Sequence, residues 1–309
     1  MRKYISFFVI SFVLFSCAST GSETRQRDIL AEIRPLNPAT EGAVKQLSYY
    51  LPALRGSPGD TPVYLLDSGN PGPSMLLVAG AHGREISGIY AAKFFVENAR
   101  IESGRVFVIP YLNIIGVRNG VRLIPLQYQG RADPNRYVPP GGTTEFAGHE
   151  QRNINRAFPG SLDMGLAQKI ALAVMNLLVY ENIDIAIDMH EAPPTSPLAW
   201  MIISHPDNVH VAAMAALDMD DNGMPMRLDV SSGNEGLSHW EWGNRTGAMA
   251  FLTETANPAQ SANQLQEEWD NPLHRLDWRV KVQLEAIRLL VYHSNFELPL
   301  PLIYSMVSQ

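Results

Sequence analysis

Three short stretches, far apart in the chain, carry the residue types from which a catalytic zinc site is built. His82-Gly83-Arg84-Glu85 offers a histidine and a carboxylate three positions apart. Asp188-Met189-His190-Glu191 places a histidine at the end of an apolar run, and Leu252-Thr253-Glu254-Thr255 places a carboxylate at the end of another. Two histidines and one glutamate form the protein half of a catalytic zinc site and leave a fourth position open for water. With His82, Glu85 and His190 as ligands, Glu254 is free to serve as general base. The same donor set accepts other first-row divalent ions, so it narrows the metal without fixing it.

The elements that must position these residues follow from the hydrophobic pattern. Residues 63–67, 75–79, 106–110, 183–189, 200–204 and 249–253 read as strands. Residues 86–98, 162–180, 206–218 and 264–293 read as helical. Strands alternating with helices predict an α/β fold, a mixed and mostly parallel sheet with helices on both faces. Ligands of such sheets gather beyond the C-terminal ends of strands. His82 follows one predicted strand, His190 ends a second and Glu254 ends a third, so three strand ends can converge on one rim. Gly80 and Gly83 permit the sharp turn that points His82 and Glu85 at a common ion.

The chain has 309 residues, 46% of them hydrophobic, and no compositional break after residue 40, which predicts one catalytic domain over 31–309. A net charge of -7 without a long basic run argues against nucleic acid as a partner. The first seventeen residues read as an address: Arg2 and Lys3, then an apolar run from Ile5 to Phe15. Leu14-Phe15-Ser16-Cys17 resembles a bacterial lipoprotein cleavage box, and Cys17 is the one cysteine in the chain. The expectation is an exported protein held at the cell envelope by a lipid on Cys17, with 18–30 as a polar tether.

The order of the stretches, with Asn153-Ile154-Asn155-Arg156-Ala157-Phe158-Pro159-Gly160 between the second and third ligands, resembles the zinc carboxypeptidase superfamily in its succinylglutamate desuccinylase and aspartoacylase branch. The branch pattern is Asp-Leu-Asn-Arg-x-Phe-Pro-Gly, so Asn153 stands where the family usually has aspartate. The resemblance covers roughly residues 60–295 and implies a zinc carboxypeptidase-like fold, one Zn2+ per chain, and hydrolysis of an amide bond near a free carboxylate. It implies that Asn155 and Arg156 hold that carboxylate, for which a guanidinium is the natural partner. It also implies an arginine that polarises the scissile carbonyl. Asn113-Ile114-Ile115-Gly116 followed by Arg122 fits that pattern, with Arg118, Arg131 and Arg136 as competitors. About thirty residues, 123–150, separate Arg122 from the Asn-Arg pair where the family has almost none, and they are expected to shape substrate entry.

Substrate class stays open between N-acyl amino acids or small peptides acted on by a deacylase and peptides acted on by a metallocarboxypeptidase. A ligand-binding lipoprotein without turnover is the alternative of another kind. Asp188 shares a strand face with His190 and is the better candidate, over Glu191, to hold the ring N–H of a metal-bound histidine. His239, in a loop-like stretch over 236–243, lines the pocket or packs a surface corner.

Overall fold

The computed structural model describes residues 29–34, 44–130, 133–231, 233, 235–261 and 266–294. Cys17, Arg131 and the first part of the predicted tether lie outside these residues. In chain order the strands and helices are β1 (Val44–Gln46), β2 (Pro62–Asp67), β3 (Ser74–Ala79), α1 (Ile86–Asn98), β4 (Arg105–Ile109), α2 (Ile114–Asn119) and α3 (Leu126–Gln129). Then come β5 (Arg136–Tyr137), β6 (Phe146–Ala147), α4 (Leu166–Tyr180), β7 (Ile185–Ala192), β8 (Met201–Ser204), α5 (Val209–Asp221) and β9 (Arg227–Val230). The chain continues through α6 (Ser238–Thr246), β10 (Met249–Ala256), α7 (Gln266–Asp270) and α8 (Leu276–His293).

Eight strands form one mixed sheet in the order β1-β2-β4-β3-β7-β10-β8-β9. Its centre, β4-β3-β7-β10, is parallel throughout, while β2 and β8 run antiparallel to their inner neighbours. Strand β3 is buried at all six positions, as expected of a strand covered on both faces. Alternation along β7 sorts the helices. Glu191 reaches α1 and α8, whereas Asp188 and His190 reach α6 and the Asn153–Arg156 turn, so the two sets of helices lie on opposite faces. Helix α4 buries Leu166, Ile170, Ala173, Val174 and Leu177, the spacing of an amphipathic helix laid on a core.

The architecture is the predicted one, with differences at element ends. β7 and β10 run on past the predicted ends at 189 and 253, pairing in register as far as Ala192 and Ala256. His190 and Glu254 therefore sit inside strands rather than just beyond them. The 236–243 stretch, read as a loop, is largely helix α6. The closing helical segment is divided at Pro272, whose ring is incompatible with a helix interior. Strands β1 and β9, only three and four residues long, carry too little pattern to be read. Among the described residues no helix is long and apolar enough to cross a membrane.

Candidate metal centre and active site

The chain leaves β3 through Gly80, whose φ of +68° is readily adopted only without a side chain, and turns back toward the sheet rim. Gly83 then passes so close to α2 that a Cβ would lie 2.1 Å from the carbonyl carbon of Gly116. Its N–H donates to the Arg122 carbonyl at 3.2 Å, which ties the His82 turn to the Arg122 segment. Glu85 is the N-cap residue of α1, with its own N–H bonded to the His82 carbonyl at 3.1 Å. His190 on β7 and Glu254 on β10 are directly opposed in parallel register and share a face.

These residues converge. The Glu85 carboxylate lies 2.6 Å from Nδ1 of His82 through one oxygen and 2.7 Å from Nδ1 of His190 through the other. One ligand atom from each of the three residues falls within 4.8 Å of the others, and all three side chains are buried. The remaining ring nitrogens are also engaged. Nε2 of His190 faces Oδ2 of Asp188 at 3.0 Å, and Nε2 of His82 faces Oδ1 of Asn153 at 2.9 Å. Backing of this kind from a carboxylate or a carbonyl fixes the tautomer and ring orientation of metal-binding histidines. Asp188 is in turn held by the Ser238 hydroxyl at 2.5 Å, from the start of α6.

The charges differ across the pair. Burial opposes a proton on either ring; at His190 the Asp188 and Glu85 carboxylates outweigh it and raise the pKa well above the usual histidine value. His82 has a neutral amide in place of Asp188 and feels the positive charge of Arg122, so burial wins and its pKa is lowered. Burial alone would raise Glu85, yet the two histidines pull it below the ordinary carboxylate range. Glu254 is raised well above its ordinary value by burial, opposed by His190 and Arg122 and reinforced by Glu85.

The residues present fit a divalent ion. The donors are two imidazole nitrogens and a carboxylate held ionised, a borderline set that suits zinc. Oε2 of Glu254 and Oδ1 of Asp188 are buried and have no hydrogen-bond partner among the described residues. Both ring nitrogens of His239, fully buried on α6, are likewise unpartnered, and burial pushes this imidazole down to about 3. Buried polar atoms are normally paired, so such a cluster marks a place where something else binds.

The predicted substrate-binding residues separate. Asn155 turns inward: Nδ2 approaches Nε2 of His190 at 3.3 Å and Oδ1 accepts from the Ser238 N–H at 2.9 Å. Arg156 lies with its guanidinium 5.4 Å from the Phe146 ring centroid, and one Nη1 hydrogen bond runs to the Asn155 carbonyl. Arg122 is exposed, with its charge acting on His82, Arg156 and Glu254. Arg118 is exposed on α2, and Arg136 points toward Asp133 and Glu145.

On the opposite face of the sheet lies a buried knot that sequence reading missed. Glu191 accepts from Arg279 on α8, from Ser87 N at 3.1 Å, from Thr255 Oγ1 at 3.2 Å and from Asn257 Nδ2 at 3.0 Å. It thereby ties the first turn of α1, just after Glu85, to the residues that follow Glu254. Nothing in the local sequence marks Arg279 as buried. For Glu191 the clue is strand alternation, which sends it away from His190.

A sequence model of the succinylglutamate desuccinylase/aspartoacylase catalytic domain matches residues 71–269. The N-alpha-acetyl-L-2,4-diaminobutyric acid deacetylase of Halomonas elongata is 30% identical over 146 residues, 47% of this chain and 35% of that protein. The crystal structure of an aspartoacylase family protein from Mesorhizobium loti superposes with a TM-score of 0.51 at 22% identity, over 76% of this chain and 61% of that one. A cell shape determinant protein of Helicobacter pylori, solved with a bound tripeptide, gives 0.52 at 18% identity, over 74% and 55%. The chain thus spans about a third of the curated relative's length and about three fifths of the Mesorhizobium protein's.

Proposed function

The chain belongs to the succinylglutamate desuccinylase/aspartoacylase family, and we propose that it is a zinc-dependent amide hydrolase that removes an acyl group from an N-acyl amino acid or small peptide bearing a free carboxylate. The observation that carries this reading is the convergence of His82, Glu85 and His190 on one point with Glu254 opposed to His190. When bound there, a divalent ion supplies Lewis acidity, polarising the carbonyl and acidifying a water. Glu254 takes the proton from the attacking water and delivers it to the leaving nitrogen, so that amide and water become carboxylate and amine. Arg122 stabilises the negative charge that develops on the carbonyl oxygen. Arg156 receives the substrate carboxylate, which a guanidinium can grip through two parallel hydrogen bonds.

The deacetylase named among the relatives favours the acyl reading. Removal of a C-terminal residue from a peptide is the second reading, favoured by the tripeptide in the Helicobacter protein. The test is mass spectrometry of products from the zinc-loaded chain on a mixed panel of N-acyl amino acids and peptides, with Glu254→Gln as control. Acyl release absent in the control supports the proposal, and loss of C-terminal residues supports the second reading. No turnover with zinc bound at one per chain would replace both with a ligand-binding protein. We place the enzyme at the cell envelope on the signal in residues 1–17 alone. Lipid labelling that persists in a Cys17→Ser chain would refute that anchor.

A further inference from the structure

A histidine that gives Nδ1 to an ion must carry its proton on Nε2, and the group facing Nε2 must therefore be an acceptor. At His190 the acceptor is the carboxylate of Asp188 at 3.0 Å, nearer to Nε2 than the Asn155 amide nitrogen at 3.3 Å, and a carboxylate accepts in any orientation. At His82 it is the side-chain amide of Asn153, which accepts through one end and donates through the other. An amide in this position works only if something keeps its oxygen turned to the histidine.

Two neighbours do so. The backbone N–H of Asn155 points at Oδ1 of Asn153 from 3.0 Å and can only donate. Oε2 of Glu150 lies 2.7 Å from Nδ2 and can only accept. Turning the amide over would set donor against donor on one side and acceptor against acceptor on the other. Glu150 itself is held by His149 at 3.1 Å and by the turn whose carbonyl bonds Asn153 N at 2.9 Å. It is the last residue of the 123–150 segment by which this chain departs from the family spacing, and it stands next to a second departure, asparagine at 153.

We propose that Glu150 is a positioning residue for the metal centre: it locks the Asn153 amide with its oxygen toward His82, which holds the proton on Nε2 and keeps Nδ1 for the ion. The inference rests on the metal-centre reading above. Through Glu150 the 123–150 segment thus serves the ligand set, and the charge missing at 153 is supplied by the side chain that contacts it.

The test is a cycle of four chains: wild type, Glu150→Ala, Asn153→Asp and the double variant. Zinc affinity is measured by competition with a chromophoric chelator. Loss of an outer partner of a metal ligand costs about 10- to 100-fold in affinity, and Glu150→Ala is expected at the lower end, about 10-fold. Glu150→Gln keeps an acceptor oxygen and is expected within about threefold of wild type. In the Asn153→Asp background no lock is needed and a carboxylate at 150 only repels, so removing Glu150 there should leave affinity unchanged or improve it. An equal loss in both backgrounds would mean that Glu150 merely supports the turn, and would overturn the proposal. If wild type binds no zinc, the metal-centre reading fails, and the metal-free chain still decides the lock. The Asn153 side-chain NH2 should give one sharp, exchange-protected pair of proton–nitrogen NMR signals in wild type and broadened signals in Glu150→Ala. Identical signals in the two would overturn it.

Discussion

Replacing Arg279 by methionine probes the knot beneath the sheet. Glu191 is fully buried and Arg279 nearly so, and their ion pair is the one charge balance in a cluster whose other members, Ser87 N, Thr255 and Asn257, are neutral donors. Methionine fills much of the volume of the arginine stem but leaves a carboxylate without a counter-charge. Removing one partner of a buried pair costs about 3–5 kcal/mol, whereas replacing both is often close to neutral. For a domain of this size that corresponds to a fall in Tm of about 6–20 °C. Glu191→Gln in the Arg279→Met background removes the stranded charge, keeps one acceptor oxygen for Ser87 N or Asn257, and should recover at least half of the loss. Guanidinium denaturation of the metal-free chains, with thermal melts alongside, measures all four corners. A single variant within about 1 kcal/mol of wild type, or a double variant that loses the sum of the two single losses, would refute the reasoning.

Three further outcomes are expected. Phe146→Ala removes the ring under Arg156; both residues are half-buried, and with the contact worth at least about 0.5–1 kcal/mol KM should rise about two- to fivefold or more with kcat and zinc content unchanged, and a kcat effect alone would contradict the assignment. Glu254 has a folded-state pKa above its unfolded value, so burying its charge costs stability once the pH passes the unfolded value. Metal-free Glu254→Gln should therefore melt higher than metal-free wild type at pH 8, the gap closing below about pH 4, and a wild type that is the more stable of the two at pH 8 would refute this. His239 is held neutral with its pKa down at about 3, so its contribution is complete above about pH 6.5 and shrinks on acidification by about 2 kcal/mol at pH 5. Equilibrium denaturation of His239→Leu should lack that acid loss, and an unchanged slope would show that the ring is not held neutral.

The convergence of His82, Glu85 and His190 was legible because a histidine and a glutamate three positions apart, in a turn with glycines at 80 and 83 after an apolar strand, have few structural uses. The Glu254 position was legible for a related reason, as an acid ending an apolar run. The strand ends were misplaced because polar residues interrupt the hydrophobic pattern while the backbone pairing continues beneath them, as it does through His190 and Glu254. Helix α6 was hidden by Gly236, Gly243 and two tryptophans; its place comes from tertiary contacts such as Ser238 with Asp188 and Asn155, which no local pattern encodes. Asn155 shows the same limit. The motif identified it, but only the fold turns its side chain to His190 and Ser238. Asn153 stands out in the sequence as a departure from a pattern, but the hydrogen bond of its amide to Glu150 comes from the folded turn, which the pattern does not encode.

The most direct test of the account is metal stoichiometry and turnover measured together on wild type and Glu254→Gln, the residue opposed to His190 across two paired strands. The prediction is one zinc per chain in both, with amide hydrolysis in wild type and a loss of at least about 100-fold in the variant. Hydrolysis by Glu254→Gln within tenfold of wild type, or turnover by a wild-type chain shown to hold no metal, would contradict it.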